Sequence, residues 1–256
     1  MRFFIRLSYL GAPYCGWQIQ PGVPTVQAAL ESALGTLLGV PAGVTGAGRT
    51  DTGVNARLMV AHFDLPDGAR RTDVCSDAFL RSLNSILGRN IAVHGIFPVA
   101  DDAHARFDAT ERTYRYYVHT LKDPFLGALS LQLPPTTDFD AMNTAGDLLL
   151  GRRDFTSFSK LHTQVKTNVC DLREARWHRV GEEPGRWYFR ITADRFLRNM
   201  VRAVVGTLLE VGRGKIRPEG VLDILEARDR CAAGTSMPAE PLFLWDIKYG
   251  GSLHRD

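Results

Sequence analysis

One order of elements occurs twice along this chain: strand, helix, strand, strand, helix, strand. In the first half, Arg2 to Tyr9 alternates as a strand. Thr25 is placed to N-cap a helix whose apolar Val26, Ala29, Leu30, Ala33, Leu34, Leu37 and Leu38 fall on one face. A short strand near Val44 and a longer one from Leu58 to Leu65 follow, then a helix capped by Thr72 and running through Leu87, and a closing strand from Ile91 to Val99. The second half repeats the order: a strand at Thr113 to Thr120, a helix at Phe139 to Leu150, strands at Val169 to Arg179 and Trp187 to Ala193, and a helix at Phe196 to Val211. A short helix at Pro218 to Ala227 precedes the last strand, Phe243 to Tyr249. The expectation is an α+β chain of two tandem ferredoxin-like β-α-β-β-α-β units, divided as 1–103 and 104–256. Two such sheets can join edge to edge into one mixed, mainly antiparallel sheet with a central cleft; the repeat permits that arrangement without requiring it.

Composition excludes several classes. With 256 residues the chain is long enough for a sizeable core. Cys15, Cys75, Cys170 and Cys231 stand far apart with no C-x-x-C pair, which suggests neither a zinc site nor a disulfide framework and points to a reducing, cytoplasmic setting. Arg6 interrupts the apolar N-terminus, whose residues alternate as in a strand and not as in a signal peptide. No apolar run approaches the ~20 residues of a membrane span. The seven histidines show no H-E-x-x-H or clustered spacing, so no metal is assigned. Net charge is only +3, but its distribution is uneven: from Arg106 to Arg217 there are 19 Lys and Arg against 13 Asp and Glu, and elsewhere 12 against 15. A basic second half suits a polyanionic partner.

The segment Gly46 to Ala56, GAGRTDTGVNA, carries the chemistry that the rest of the chain lacks. It holds one carboxylate, Asp51, between glycines that allow unusual backbone angles, with Arg49 two residues before it and Thr50 and Thr52 able to satisfy local backbone groups. An Asx-type turn with Asp51 capping its own loop would account for the composition alone. A phosphate-cradling loop does not fit, because both glycine-rich phosphate patterns need glycines where Asp51 and its neighbours stand. Asp51-Thr52-Gly53 spells the turn of aspartic proteases, yet there is no second D-[ST]-G to complete the dyad.

The full segment resembles the G-R-T-D-x-G-V-H-A signature of the tRNA pseudouridine synthases of the TruA type. Four further stretches resemble the same family in the same order: Tyr14 to Gln18 (YCGWQ), His104 to Tyr116 (HARFDATERTYRY), Asp154 to Phe158 (DFTSF) and Phe196 to Gly206 (FLRNMVRAVVG). The resemblance covers essentially the whole chain, with one departure: Asn55 stands where the family has His, replacing a titrating group by one that only hydrogen-bonds.

The resemblance implies that the two sheets join, that the chain isomerises uridine to pseudouridine in the anticodon stem-loop of tRNA without a cofactor, and that it works as a homodimer. It also implies that Asp51 is the catalytic carboxylate, acting either on ribose C1′ or on the C2′ proton, that Arg202 pairs with it, and that Tyr114 stacks on the flipped base. The residues themselves add candidates. Arg195, Arg198 and Arg202 recur at i, i+3 and i+7 as a basic face of the expected helix beside its apolar stripe. Arg49 is placed to steer the nucleotide, and Trp17 and Gln18 to contact RNA, whereas Tyr116 shares Tyr114's face and reads as packing. A non-catalytic RNA-binding protein of the same fold is the rival reading, against which Asp51, Arg202 and Tyr114 all speak.

Overall fold

The computed structural model describes residues 1–70, 72–160 and 167–250. The architecture is α+β with mainly antiparallel strands, and the chain forms two compact units: Met1–Thr110 with the stretch from Leu244, and Glu111–Phe243.

In the first unit, β1 (Arg2–Tyr9) pairs antiparallel with both β3 (Asn55–Asp64) and β4 (Ile91–Val99), and the two-residue β2 (Thr45–Gly46) lies on β3. β1 buries Phe3, Ile5, Leu7 and Tyr9 at alternate positions, the period of a strand, and Phe4 on the opposite face is buried as well. Thr25 accepts from Ala28 N to cap α1 (Val26–Leu38), and Gly39 closes that helix in the left-handed conformation, as its type allows. Helix α2 (Asp77–Leu87) starts later than expected. Asp73 forms a turn, its carboxylate accepting from Cys75 N, and Ser76 takes over the capping position from Thr72, accepting from Phe79 N.

The second unit is built on β5 (Ala109–His119), which carries the short β6 (Leu131–Gln132) in parallel and pairs antiparallel with β9 (Arg186–Ala193). β9 pairs with β8 (Val169–Arg179), and β8 with β7 (Gly151–Asp154). Helix α3 (Phe139–Leu148) lies on β8, where a Cβ at Gly146 would stand 2.1 Å from the Ala175 carbonyl oxygen; only glycine fits. Asn143 bridges from the helix to both backbone groups of Trp177. Helix α4 (Met200–Gly212) is buried over most of its length, and α5 (Gly220–Ala227) follows it.

Two expectations are corrected here. The helix placed at Phe196 to Val211 begins at Met200, because Asn199 sits at φ 67° and ψ 2°, outside the right-handed helix. Arg195 and Arg198 therefore precede α4, and the basic face of i, i+3 and i+7 does not form. The last strand, β10 (Leu242–Tyr249), expected with 104–256, groups from Leu244 with the first unit, beside β3. Its Tyr249 ring meets Phe4 at 5.6 Å, and its hydroxyl donates to Ala105 O at 2.7 Å.

The HARFD stretch is a turn docked on the same strand. His104 Nδ1 accepts from Arg106 N and Phe107 N, Asp108 accepts from His104 N, and Ala105 N donates to Nδ1 of the buried His62 at 3.1 Å. Burial, reinforced by the nearby Arg2 charge and by His104, pushes His62 down from 6.5 to about 4. The unfolded chain thus takes up a proton that the folded one refuses. The stabilisation is complete above about pH 6.5 and is lost as pH falls towards about 4, amounting to roughly 3 kcal/mol at most. His62→Gln, which keeps an acceptor, is expected to flatten the fall in urea stability across that interval. Equal slopes for both proteins would discard the assignment.

Candidate active site

The Asp51 loop runs from β2 to β3 and is clamped by residues 9–17. Ala47 N donates to Val60 O at the loop's base, and Tyr9 Oη meets Thr50 Oγ1 at 2.8 Å in a buried contact. Trp17 N donates to Thr50 O at 3.2 Å, Gly53 N to Tyr14 O at 3.4 Å, and Gly11 N to Asn55 Oδ1 at 2.8 Å. Close approach needs glycine at two of these points. A Cβ at Gly11 would lie 2.2 Å from Val54 O, and Gly16, at φ +88°, would bring one within 2.4 Å of Thr50 O. The loop crown is left in view: Asp51 is half-buried between buried Thr50 and buried Gly53 and Val54. Asn55 holds the loop by accepting from Gly11, a role for which a carboxamide suffices.

Trp17 is not available as an RNA contact. It is 3% exposed, with its ring 6.1 Å from Tyr9 and its indole over Gly46, where a Cβ would come within 2.5 Å of it. The YCGWQ stretch thus serves the loop from beneath. Gln18, next in sequence, is exposed, and so is Arg49, which makes no hydrogen bond or ion pair among the described residues.

The second unit carries the other candidates. Tyr114 is half-buried on β5, opposite Ile191, and meets Phe196 edge-to-face at 5.1 Å. Tyr116 is fully buried, donates to Pro238 O at 3.1 Å, and has its phenol pushed well up by burial, with the Arg202 charge pulling the other way. Arg202, on the first turn of α4, donates from Nε to Met237 O at 2.5 Å, and Met237 N donates back to Arg202 O at 3.2 Å. Arg195 is half-buried, with its backbone N on the Asp194 carboxylate, and Arg198 is exposed, its carbonyl accepting from Lys160 N. Tyr114 and Phe196 come together, as do Tyr116 and Arg202. Phe196 and Met237 carry no signal of their own in the sequence: Phe196 falls in phase with a helical stripe, although Asn199, of a type favoured at N-caps and tolerant of left-handed angles, marks the true helix start.

Among the described residues no three His, Cys, Asp or Glu are grouped to hold a metal ion, and no helix is long and apolar enough to cross a membrane. A family model for tRNA pseudouridine synthase matches residues 145–250. The chain is 53% identical over 253 residues to tRNA pseudouridine synthase A of Parabacteroides distasonis, covering 98% of this chain and 97% of that protein. It is 51% identical over 252 residues to the enzyme of the same name from Porphyromonas gingivalis, with 98% of each covered, and 40% identical over 251 residues to that of Burkholderia multivorans, with 97% and 90% covered. With such identity over nearly the full length of each relative, the chain belongs to the tRNA pseudouridine synthase A family.

Proposed function

We propose that this chain isomerises uridine to pseudouridine in the anticodon stem-loop of tRNA, with Asp51 as the group that acts on the ribose and without a cofactor. The reaction balances within the nucleotide: the C1′–N1 bond breaks, a C1′–C5 bond forms, C5 loses a proton and N1 gains one. A single carboxylate serves it by attacking C1′ or by taking the C2′ proton. The supporting observation is the clamped loop, which holds Asp51 at a half-buried crown through bonds made by the backbone and side chains of its neighbours.

The remaining roles belong to the same proposal. Arg202 supplies positive charge to the carboxylate chemistry, its Nε held by Met237 O and its guanidinium thereby oriented. Tyr114 offers a ring to the everted base, while Arg49, Gln18, Arg195 and Arg198 contact the RNA, the arginines through phosphates. The working form is a homodimer in the cytoplasm, where the four free cysteines stay reduced.

Chemical mapping of pseudouridine in tRNA from cells with and without the chain tests the reaction. Loss of the modification in the anticodon stem-loop is expected, and an unchanged map would end the proposal. In the purified protein, Tyr114→Phe should keep tRNA affinity, whereas Tyr114→Ala should lose the ~1–3 kcal/mol of a base stack. Wild-type affinity and turnover in the alanine variant would make Tyr114 a packing residue.

A further inference from the structure

We infer that the strap Gly234–Met237 and the left-handed Asn199 form a positioning clamp for Arg202. This rests on the reading that Arg202 takes part in the reaction.

Four contacts stitch the strap to α4. The Asn199 amide donates to Ser236 Oγ at 2.5 Å, Arg202 and Met237 exchange the two bonds already described, and Gly234 N donates to Thr207 Oγ1 at 2.9 Å. Thr207, buried, donates in turn to Ala203 O within the helix. The approach is as close as backbone allows. A Cβ at Gly206 would stand 1.9 Å from Thr235 O, and one at Gly234 2.7 Å from Gly206 C. Arg230 braces the strap from its own side, donating to Ala233 O, Gly234 O and Ser236 Oγ.

Asn199 shows what the arrangement is for. As the residue before α4 it is of a favoured capping type, yet its side chain caps nothing. It adopts φ 67°, a left-handed angle that few residues other than Gly and Asn take, and commits its amide to Ser236. A helix start that merely needed stability would use the same side chain on its own free N–H groups. Here the left-handed turn and the lost cap bring the strap onto the first turn, where Met237 O takes Arg202 Nε and fixes the plane of a guanidinium that otherwise has several rotamers.

Steady-state kinetics on the full chain with tRNA test this. Ser236→Ala and Asn199→Gly, the latter keeping the left-handed angle without the amide, should each lower kcat about tenfold while KM for tRNA stays within about twofold. Ser236→Thr, which keeps the hydroxyl, should restore kcat. In an Arg202→Lys background Ser236→Ala should have no further effect, because the group it positions is gone. An impaired Arg202→Lys beside a Ser236→Ala of wild-type kcat would overturn the clamp alone, and so would losses that multiply in the double variant. Arg202→Lys at the wild-type rate would overturn the role of Arg202 and the clamp with it.

Discussion

An Asp51→Asn chain is expected to bind tRNA within about threefold of wild type and to form no pseudouridine, a loss of at least about four orders of magnitude in turnover. Affinity should survive because it comes from basic and aromatic groups elsewhere, and because the clamp acts on the neighbours of Asp51 and on its carbonyl, which accepts from Val54 N at 3.1 Å. The amide keeps the shape of the carboxylate and removes its charge and basicity. Residual turnover within a hundredfold of wild type would remove Asp51 from the chemistry. The same variant tests assembly. Mixed with a chain whose Arg195 and Arg198 are neutralised, it should recover part of the activity through hybrid dimers that share RNA between chains. A fully active monomer by light scattering would exclude the shared arrangement.

The largest expected effect on stability comes from Gly16→Ala. The new Cβ would adopt φ +88° and press within 2.4 Å of Thr50 O, so a left-handed angle and an overpacked backbone contact act together, costing roughly 2–5 kcal/mol. The strain falls on the strand of chain that donates Trp17 N to Thr50 O, so turnover should fall along with the urea midpoint. Gly43→Ala, where no atom lies within 4 Å of the added methyl, is the control and should be close to neutral. Equal midpoints for the two variants would show that residues 11–17 do not hold the Asp51 loop.

Much of the fold is readable from local pattern. β8 runs from Val169 to Arg179 as alternation implies, and α1 begins after Thr25 because a hydroxyl before an apolar helical stripe is a cap signal within four residues. Pattern fails where one local cap signal competes with another, or where a side chain turns to a partner that the window does not contain. Asp73 makes its own turn and delays α2 to Ser76, and Asn199 reaches Ser236, 37 residues on, so that α4 starts at Met200.

The site divides the same way. Asp51, Tyr114 and Arg202 are candidates through the family resemblance, and they supply the carboxylate, ring and cation that the proposed chemistry calls for. That Trp17 packs under the loop and not against RNA, that Asn55 carries a structural bond to Gly11, and that Arg202 is held by Met237 were not legible in the sequence. By itself the sequence determined the repeated α+β order and, through its motifs, the family, because periodicity and motif spacing are local properties. Tertiary structure alone decided which side chains are immobilised and by what, because the bonds that tie residues 9–17 to the Asp51 loop and residues 199 and 202 to 236 and 237 join positions far apart in the chain and exist only once the strands and helices have packed.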